Sequence, residues 1–309
     1  MLHKTTPKSE GAMTAAILVT GATGKLGQRV VNRLLQKQAK VRVLTRRRED
    51  ALKLWGDSVD IAEGNFSDPA SLKGASRDVD RVFLLSPIGK TLAADQNAVV
   101  DAALSAGVSQ IVKLSGSDWT LKNAARSISG TAHAAVEKHL AETGIAHTVL
   151  RPNAWMQVAL EPVVAALRNG EDVPARFGNA AVSFIDADDI ADVAVEALSA
   201  SAPPAGTLVL TGHEALAALG IARIAARILH RPVGVSHQSA STFPAHIGGF
   251  EQKAIAEFGQ LIGEGLAAST TDIVEQIIGH PPRSVENYLR ARLAVAQQGD
   301  HSEGEKTWR

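Results

Sequence analysis

The sequence predicts an α/β protein: a doubly wound parallel sheet with a smaller, mostly helical C-terminal lobe. Short aliphatic runs alternate with helix-period stretches through the first half of the chain, the order that builds βαβ units. Runs such as RVFLLS are apolar on both faces, as strands covered on both sides must be. A glycine-spaced turn between the first run and the first helical stretch completes the pattern.

The elements follow in order. AAILVT reads as a strand, followed by a helix beginning near Lys25. KVRVLT, VDIAEG, DRVFLLS, SQIVKLS and AHTVLRP supply further strands, joined by right-handed crossovers. Among the intervening helices, TLAADQNAVVDAALSAG and TAHAAVEKHLAETG both end in glycine, a helix stop. WMQVALEPVVAALRNG predicts a helix interrupted by Pro162. VSFIDADDIADVAVEALSA predicts a strand, then a helix capped by Asp188 or Asp189. GTLVLTG is another strand, and Thr211 to Gln298 is mostly helical, with breaks at HRPVG and GHPPRS. The expected organisation is a nucleotide-binding domain over 14–155, to which 181–212 returns. A substrate lobe is expected from 156–180 and 213–297, with disordered tails at 1–13 and 298–309.

Bulk composition excludes several functions. The 309 residues suffice for one large domain and an attached lobe. Lys plus Arg and Asp plus Glu both number 32, so the chain has no electrostatic footprint for direct nucleic-acid binding. The absence of cysteine excludes disulfides, thiolate metal sites and cysteine nucleophiles, and fits a cytoplasmic protein. No run approaches a membrane helix in length, and the histidines show no metal-ligand spacing.

The turn VTGATGKLGQRV places Gly21, Gly24 and Gly27 between a strand and a helix, a Rossmann-type phosphate loop. Gly21 permits the tight turn, Gly24 lets the backbone approach a pyrophosphate, and Gly27 allows close helix–sheet packing. The N–H groups at the helix start then face the phosphates. The second strand ends in VLTRRRED, with Arg46 where NAD-specific sites carry a carboxylate. A guanidinium can bind a 2′-phosphate bidentately, so Arg46, with Arg47 and Lys25 nearby, argues for NADP(H) over NAD(H).

Taken in order, GATGKLG, AEGNFSDPASL, VFLLSP, AALSAGVSQIVKLSG, ETGIAHTVLRPN and FIDADDIADVAVEAL resemble the landmarks of the NmrA-like family of atypical short-chain dehydrogenases. The resemblance extends to LTGHEAL and HPPRSVENY and covers nearly the whole chain, about Ala15 to Ala296. It implies either an NADPH-dependent quinone or dye reductase, or a nucleotide-binding regulator like NmrA itself. The cofactor contacts it implies are Thr23, Lys25 and Leu26 in the loop, Asn65 and Phe66 near the adenine, and Leu85, Ser86 and Pro87 near the riboses. Ser115 and Gly116, and Arg151, Pro152 and Asn153 near the nicotinamide, end the fifth and sixth strands. All follow strand C-termini, where open sheets bind ligands.

The sequence lacks a Tyr-x-x-x-Lys pair: Tyr288, the only tyrosine, lies far down the chain with no lysine four residues on. The resemblance aligns His133 with the catalytic lysine of the family's plant reductases, and HAAVE with a His-x-x-x-Glu arrangement in its dye reductases. Residues four apart share a helix face, so Glu137 can hydrogen-bond His133 and raise its pKa. His133 is then either a proton donor beside the nicotinamide or a surface histidine paired with Glu137. Lys113, inside a strand, reads as structural. Trp119, Trp155 and Met156 can either wall a flat apolar pocket or serve the core.

Two functions remain. One is an NADPH-dependent reductase of a small electrophilic aromatic such as a quinone. The other is a redox sensor without turnover that acts through a protein partner. A homodimer is compatible with either.

Overall fold

The computed structural model describes residues 16–236 and 249–298. Its main sheet has seven parallel strands: β1 (Ala16–Val19), β2 (Val41–Thr45), β3 (Asp60–Glu63), β4 (Val79–Leu84), β5 (Gln110–Leu114), β6 (Ala146–Pro152) and β8 (Gly206–Leu210), in the order β3-β2-β1-β4-β5-β6-β8. The direction of winding reverses between β1 and β4. Ligands of open α/β sheets bind outside the carboxyl ends of the strands at such a switch point. A two-stranded parallel pair, β7 (Val173–Pro174) with β9 (Val235–Ser236), lies in the lobe.

Alternation along the strands feeds two apolar layers. Ile17, Val19, Phe83 and Val112 face one side, packed with α1 (Lys25–Gln36) and α9 (Ala187–Ser199). Leu18, Val82, Leu84 and Ile111 face the other, packed with α3 (Pro69–Ser76), α4 (Leu92–Ser105) and α6 (Ile128–Thr143). The helix α2 (Arg48–Trp55) closes the β2–β3 edge. A third apolar cluster forms the lobe, from α7 (Met156–Ala159), α8 (Glu161–Arg168), α10 (Ala218–Leu229), α11 (Gly249–Gly263) and α13 (Val285–Gln298). The short α12 (Ile273–Ile278) packs back on α9 and β8.

Local signals explain several boundaries. α6 starts at Ser127, whose hydroxyl accepts from Gly130 N at 3.0 Å, and stops at Gly144, φ +72°. The left-handed conformation at Gly144 carries no Cβ penalty. Pro162 sits in the first turn of α8, where its missing N–H costs nothing, so the predicted interruption becomes two helices.

Two local expectations are corrected. VSFID forms no strand; it makes only single bridges, Val182 to Leu216 and Ile185 to Trp155. The N–H groups of Val182, Ser183 and Ile185 go to different partners, Leu216 O, Ala267 O and Ala154 O, because the segment runs along the seam between sheet and lobe. α9 is capped by Asp186, which accepts from Asp188 N at 2.7 Å, and not by Asp188 or Asp189. The helix begins at Ala187, earlier than either expected cap allows, which frees those two carboxylates for ion pairs. Asp188 binds Arg33 of α1, and fully buried Asp189 accepts from Arg283 N at 2.8 Å and from its guanidinium. Burial first, opposed by Arg283, pushes the Asp189 carboxyl up to about 6. The predicted N-terminal tail lies outside the described residues. So does the C-terminal one apart from Gln298, which still belongs to α13.

Candidate functional site

The glycine loop joins β1 to α1 at the switch point. Gly21 adopts φ +60°, and a Cβ there would lie 2.8 Å from Leu85 O. At Gly27 a Cβ would lie 2.2 Å from Gly21 O and 2.7 Å from Ala22 Cα, so the first turn of α1 presses directly on the loop backbone. Gly24 differs: it is exposed, its φ is −76°, and a Cβ would meet only Gly21 O, at 3.2 Å. No side chain caps α1, so its first N–H groups are open to an anion. Thr20, unremarked in the sequence, ties β1 to β4: its hydroxyl donates to Leu85 O at 2.8 Å and accepts from Leu85 N at 2.9 Å.

The other predicted cofactor residues ring this loop with different degrees of freedom. Thr23 is half-buried and its carbonyl accepts from Gln28 Nε2 at 2.7 Å, while Lys25 is exposed. Leu26 is buried in the core, so only its backbone can face a ligand. Arg46 is exposed at the end of β2 and makes no ion pair among the described residues; Arg47 pairs with Asp50. Asn65 Oδ1 accepts from Ser67 N at 2.9 Å, which shapes the turn after β3, and Phe66 packs against the core of the α4 side. After β4, Leu85 is held by Thr20, Ser86 accepts from Gln96 Nε2 at 2.9 Å, and Pro87 is exposed.

A buried polar cluster occupies the carboxyl ends of β5 and β6. Lys113 of β5 is fully buried on the face towards α6, with Nζ 3.0 Å from His133 Nδ1 and donating to Leu114 O at 3.2 Å. His133 is 6% exposed, and its Nε2 makes no hydrogen bond among the described residues. Its ring edge packs on Gly116, where a Cβ would come within 2.9 Å of Cδ2. α6 reaches this position because Gly130 lets it approach α5 (Asp118–Lys122): a Cβ there would lie 2.2 Å from Thr120 O. Glu137, one turn beyond His133, accepts from Ser115 Oγ at 2.5 Å and pairs with Arg151, whose other nitrogen donates to Asp118 at 2.7 Å.

This geometry corrects the expected His133–Glu137 pair. Glu137 turns to Ser115 and Arg151, and the partner of His133 is Lys113. The direction of the pKa shift reverses with it. Burial, then the adjacent Lys113 charge, holds the His133 imidazole well below its ordinary range, so the ring is neutral at neutral pH. Burial also brings the Lys113 ammonium down to about 7, against the pull of Glu137. The signal for Lys113 was a lone charge in a strand apolar on both faces. Arg151 stays charged, held by Glu137 and Asp118 despite its burial.

Of the predicted substrate residues, Trp119 is buried, donates from its indole to Asn153 Oδ1 at 2.8 Å, and packs against Phe258 with centroids 4.6 Å apart. Asn153 Nδ2 donates to Ser183 Oγ at 2.5 Å and Ala267 O at 2.9 Å. Its amide is therefore committed to the seam between sheet and lobe, not presented to a cofactor as expected. Met156 is buried in the lobe core, not on a pocket wall. Trp155 is half-buried against the sheet core. Trp119, Asn153 and Arg151 border one recess of about 220 Å³, with Lys122, Thr211 and Ser269 across from them. Tyr288 lies in the lobe and donates to Glu161 at 2.6 Å, remote from this cluster. No metal-binding group of side chains occurs among the described residues, and no helix among them is long and apolar enough to cross a membrane.

Sheet order, glycine loop and strand-end cluster define a Rossmann-type dinucleotide-binding protein. The chain belongs to the NmrA-like family, which it matches over residues 13–288. It is 30% identical over 276 residues to (4-alkanoyl-5-oxo-2,5-dihydrofuran-3-yl)methyl phosphate reductase of Streptomyces griseus, covering 88% of this chain and 96% of that one. It is 29% identical over 284 residues to the NAD(P)H azoreductase of Xenophilus azovorans, covering 90% and 98%. Its fold is similar to the NADPH complex of the NADPH-dependent quinone oxidoreductase of Escherichia coli, with TM-score 0.77, 22% identity and coverage of 90% and 99%. These relatives place the chain among the reductases of the family.

Proposed function

We propose that the protein is an NADPH-dependent reductase of small conjugated electrophiles, with quinone-like aromatics the first candidates. The observation that carries this reading is a buried, neutral histidine held by a lysine at the end of β5, on the sheet that carries the glycine loop. The loop fits a dinucleotide: Gly24 is exposed, α1 starts without a side-chain cap, and Arg46 is exposed at the end of the neighbouring strand β2, with no ion pair among the described residues. Gly24 and the first N–H groups of α1 would take the pyrophosphate, and Arg46 the 2′-phosphate. A bound dihydronicotinamide supplies a hydride.

The chain contributes positioning, exclusion of water and a hydrogen-bond donor where charge develops on the acceptor. A quinone accepts hydride readily, so no strong acid is required, which accommodates the absence of a Tyr-Lys pair. The phosphorylated substrate of the Streptomyces relative extends the class to other conjugated carbonyl compounds. Steady-state NADPH oxidation against a panel of quinones, azo dyes and unsaturated lactones tests the reading. Tight NADPH binding with no turnover on any acceptor would favour the redox sensor instead.

Cofactor choice is tested separately. Arg46→Ala should weaken NADPH binding about tenfold to a hundredfold, the worth of one charge-assisted hydrogen bond, and leave NADH binding nearly unchanged. Calorimetric titration of both proteins with both cofactors measures this. Equal affinity of the unmodified protein for NADPH and NADH would refute the role of Arg46.

A further inference from the structure

We propose that Lys113 is a positioning residue for His133: its ammonium donates to Nδ1, fixes the ring proton on Nε2, and gives a proton to Nδ1 as Nε2 gives its own to the reduced acceptor. The inference rests on the reductase reading and extends it to a residue that touches neither cofactor nor acceptor. A strand interior covered on both faces has no packing use for a charge, and burying one is costly without compensation. Here the compensation is specific: Nζ faces His133 Nδ1 at 3.0 Å and Leu114 O at 3.2 Å, and Glu137 supplies the nearby negative charge. A lysine ammonium is a donor only, so Nδ1 must accept, and the remaining proton of a neutral imidazole must sit on Nε2. The Cδ2 edge beside that nitrogen packs on Gly116, at the end of β5 where ligands of such sheets bind.

The protons balance. Hydride transfer leaves an acceptor oxygen one proton short. That oxygen takes the proton from Nε2 as Nδ1 takes one from the Lys113 ammonium, which leaves the other ring tautomer and a neutral amine; after product release Nε2 takes a proton from water and Nδ1 returns its own to the amine, restoring both groups. The charged groups facing Lys113 are Glu137 of α6 and Arg151 of β6, and these hold each other. The donor that titrates is therefore Lys113, at about 7, while His133 stays neutral. The rate with proton-requiring acceptors should fall as pH rises through roughly 7 to 8, as the ammonium is lost.

Nitrogen-15 NMR of the cofactor-free protein reads the tautomer directly, with the ring signals assigned by their loss in His133→Asn. The expected spectrum has a hydrogen-free Nδ1 and a protonated Nε2 from about pH 5.5 to 6.5, where the Lys113 ammonium is present. In Lys113→Met, of similar volume, the ring should titrate closer to its ordinary range. Single-turnover NADPH oxidation by this variant should be slower by roughly 10–100-fold with proton-requiring acceptors, should lose the limb near pH 7, and should show unchanged KM. Lys113→Met should also melt at a higher temperature than the unmodified protein near pH 6. A lysine whose pKa is lowered by folding costs stability below that pKa, and methionine removes the cost. A protonated Nδ1 in that range, or a His133 ring that titrates near its usual value in the unmodified protein, would overturn the proposal whether or not the variant folds. An unaltered pH profile in a folded Lys113→Met would overturn the proton-supplying half. If no acceptor is reduced at all, the reductase reading and that half fail together, while the tautomer assignment stands or falls on the spectrum.

Discussion

Replacing His133 by alanine should slow turnover about 10²–10⁴-fold with acceptors that need a proton in the transition state. With easily reduced quinones the loss should be much smaller, because hydride transfer to them needs little acid. The ring is buried and neutral, so its contribution is the Nε2–H that it presents and not a charge of its own. NADPH affinity should stay nearly constant, since the glycine loop and Arg46 lie at the other end of the site. Truncation also removes the partner of Lys113 Nζ and leaves a cavity, so the melting temperature must be recorded beside the kinetics. Single-turnover NADPH oxidation by the folded variant decides the matter. Rates equal to those of the unmodified protein for every acceptor would remove His133 from the chemistry.

A second large effect separates two glycines that the motif treats alike. Gly24→Val should abolish measurable NADPH binding yet leave the melting temperature close to that of the unmodified protein. The φ of Gly24 suits any residue and its Cβ would meet a single atom, Gly21 O at 3.2 Å, a tight contact relieved by a shift of a few tenths of an ångström, so the side chain would intrude mainly where the pyrophosphate approaches. Gly27→Ala should act on the fold itself. Its methyl group would collide with Gly21 O at 2.2 Å and with Ala22, backbone atoms that cannot move aside without displacing α1. Overpacking of this kind costs typically about 1–3 kcal/mol and more when backbone must shift. Thermal unfolding and NADPH titration of both variants make the comparison. A folded Gly24→Val that binds NADPH normally would refute the assigned loop, and an unperturbed Gly27→Ala would refute the close approach of α1.

Much of the architecture was legible because its causes are local. The strands announce themselves as short aliphatic runs, the glycine loop by its spacing, and the break at Pro162 by chemistry that no tertiary contact can undo. VSFID failed for a non-local reason. Its aliphatic pattern is that of a strand, but its backbone bonds are shared among the end of β6, the lobe and the segment at Ala267, so no ladder forms. The cap of α9 failed for a smaller one, three neighbouring aspartates whose roles depend on which of them faces Arg33 and which faces Arg283.

The chemistry of the site was less legible. By itself the sequence determined the parallel sheet, the phosphate loop, the arginine after the second strand, and the helix that carries His133. Helical spacing paired His133 with Glu137, since it counts only neighbours on one helix. Tertiary structure decided otherwise, because β5 runs beneath α6 and brings Lys113 to Nδ1, while β6 brings Arg151 to Glu137. It also committed Asn153 and Trp119 to each other at the seam. Burial and partner decide what a titratable group does, and both are properties of the packed chain: the same imidazole on a solvated helix would be a weak acid at neutral pH, and under this sheet it is a neutral donor.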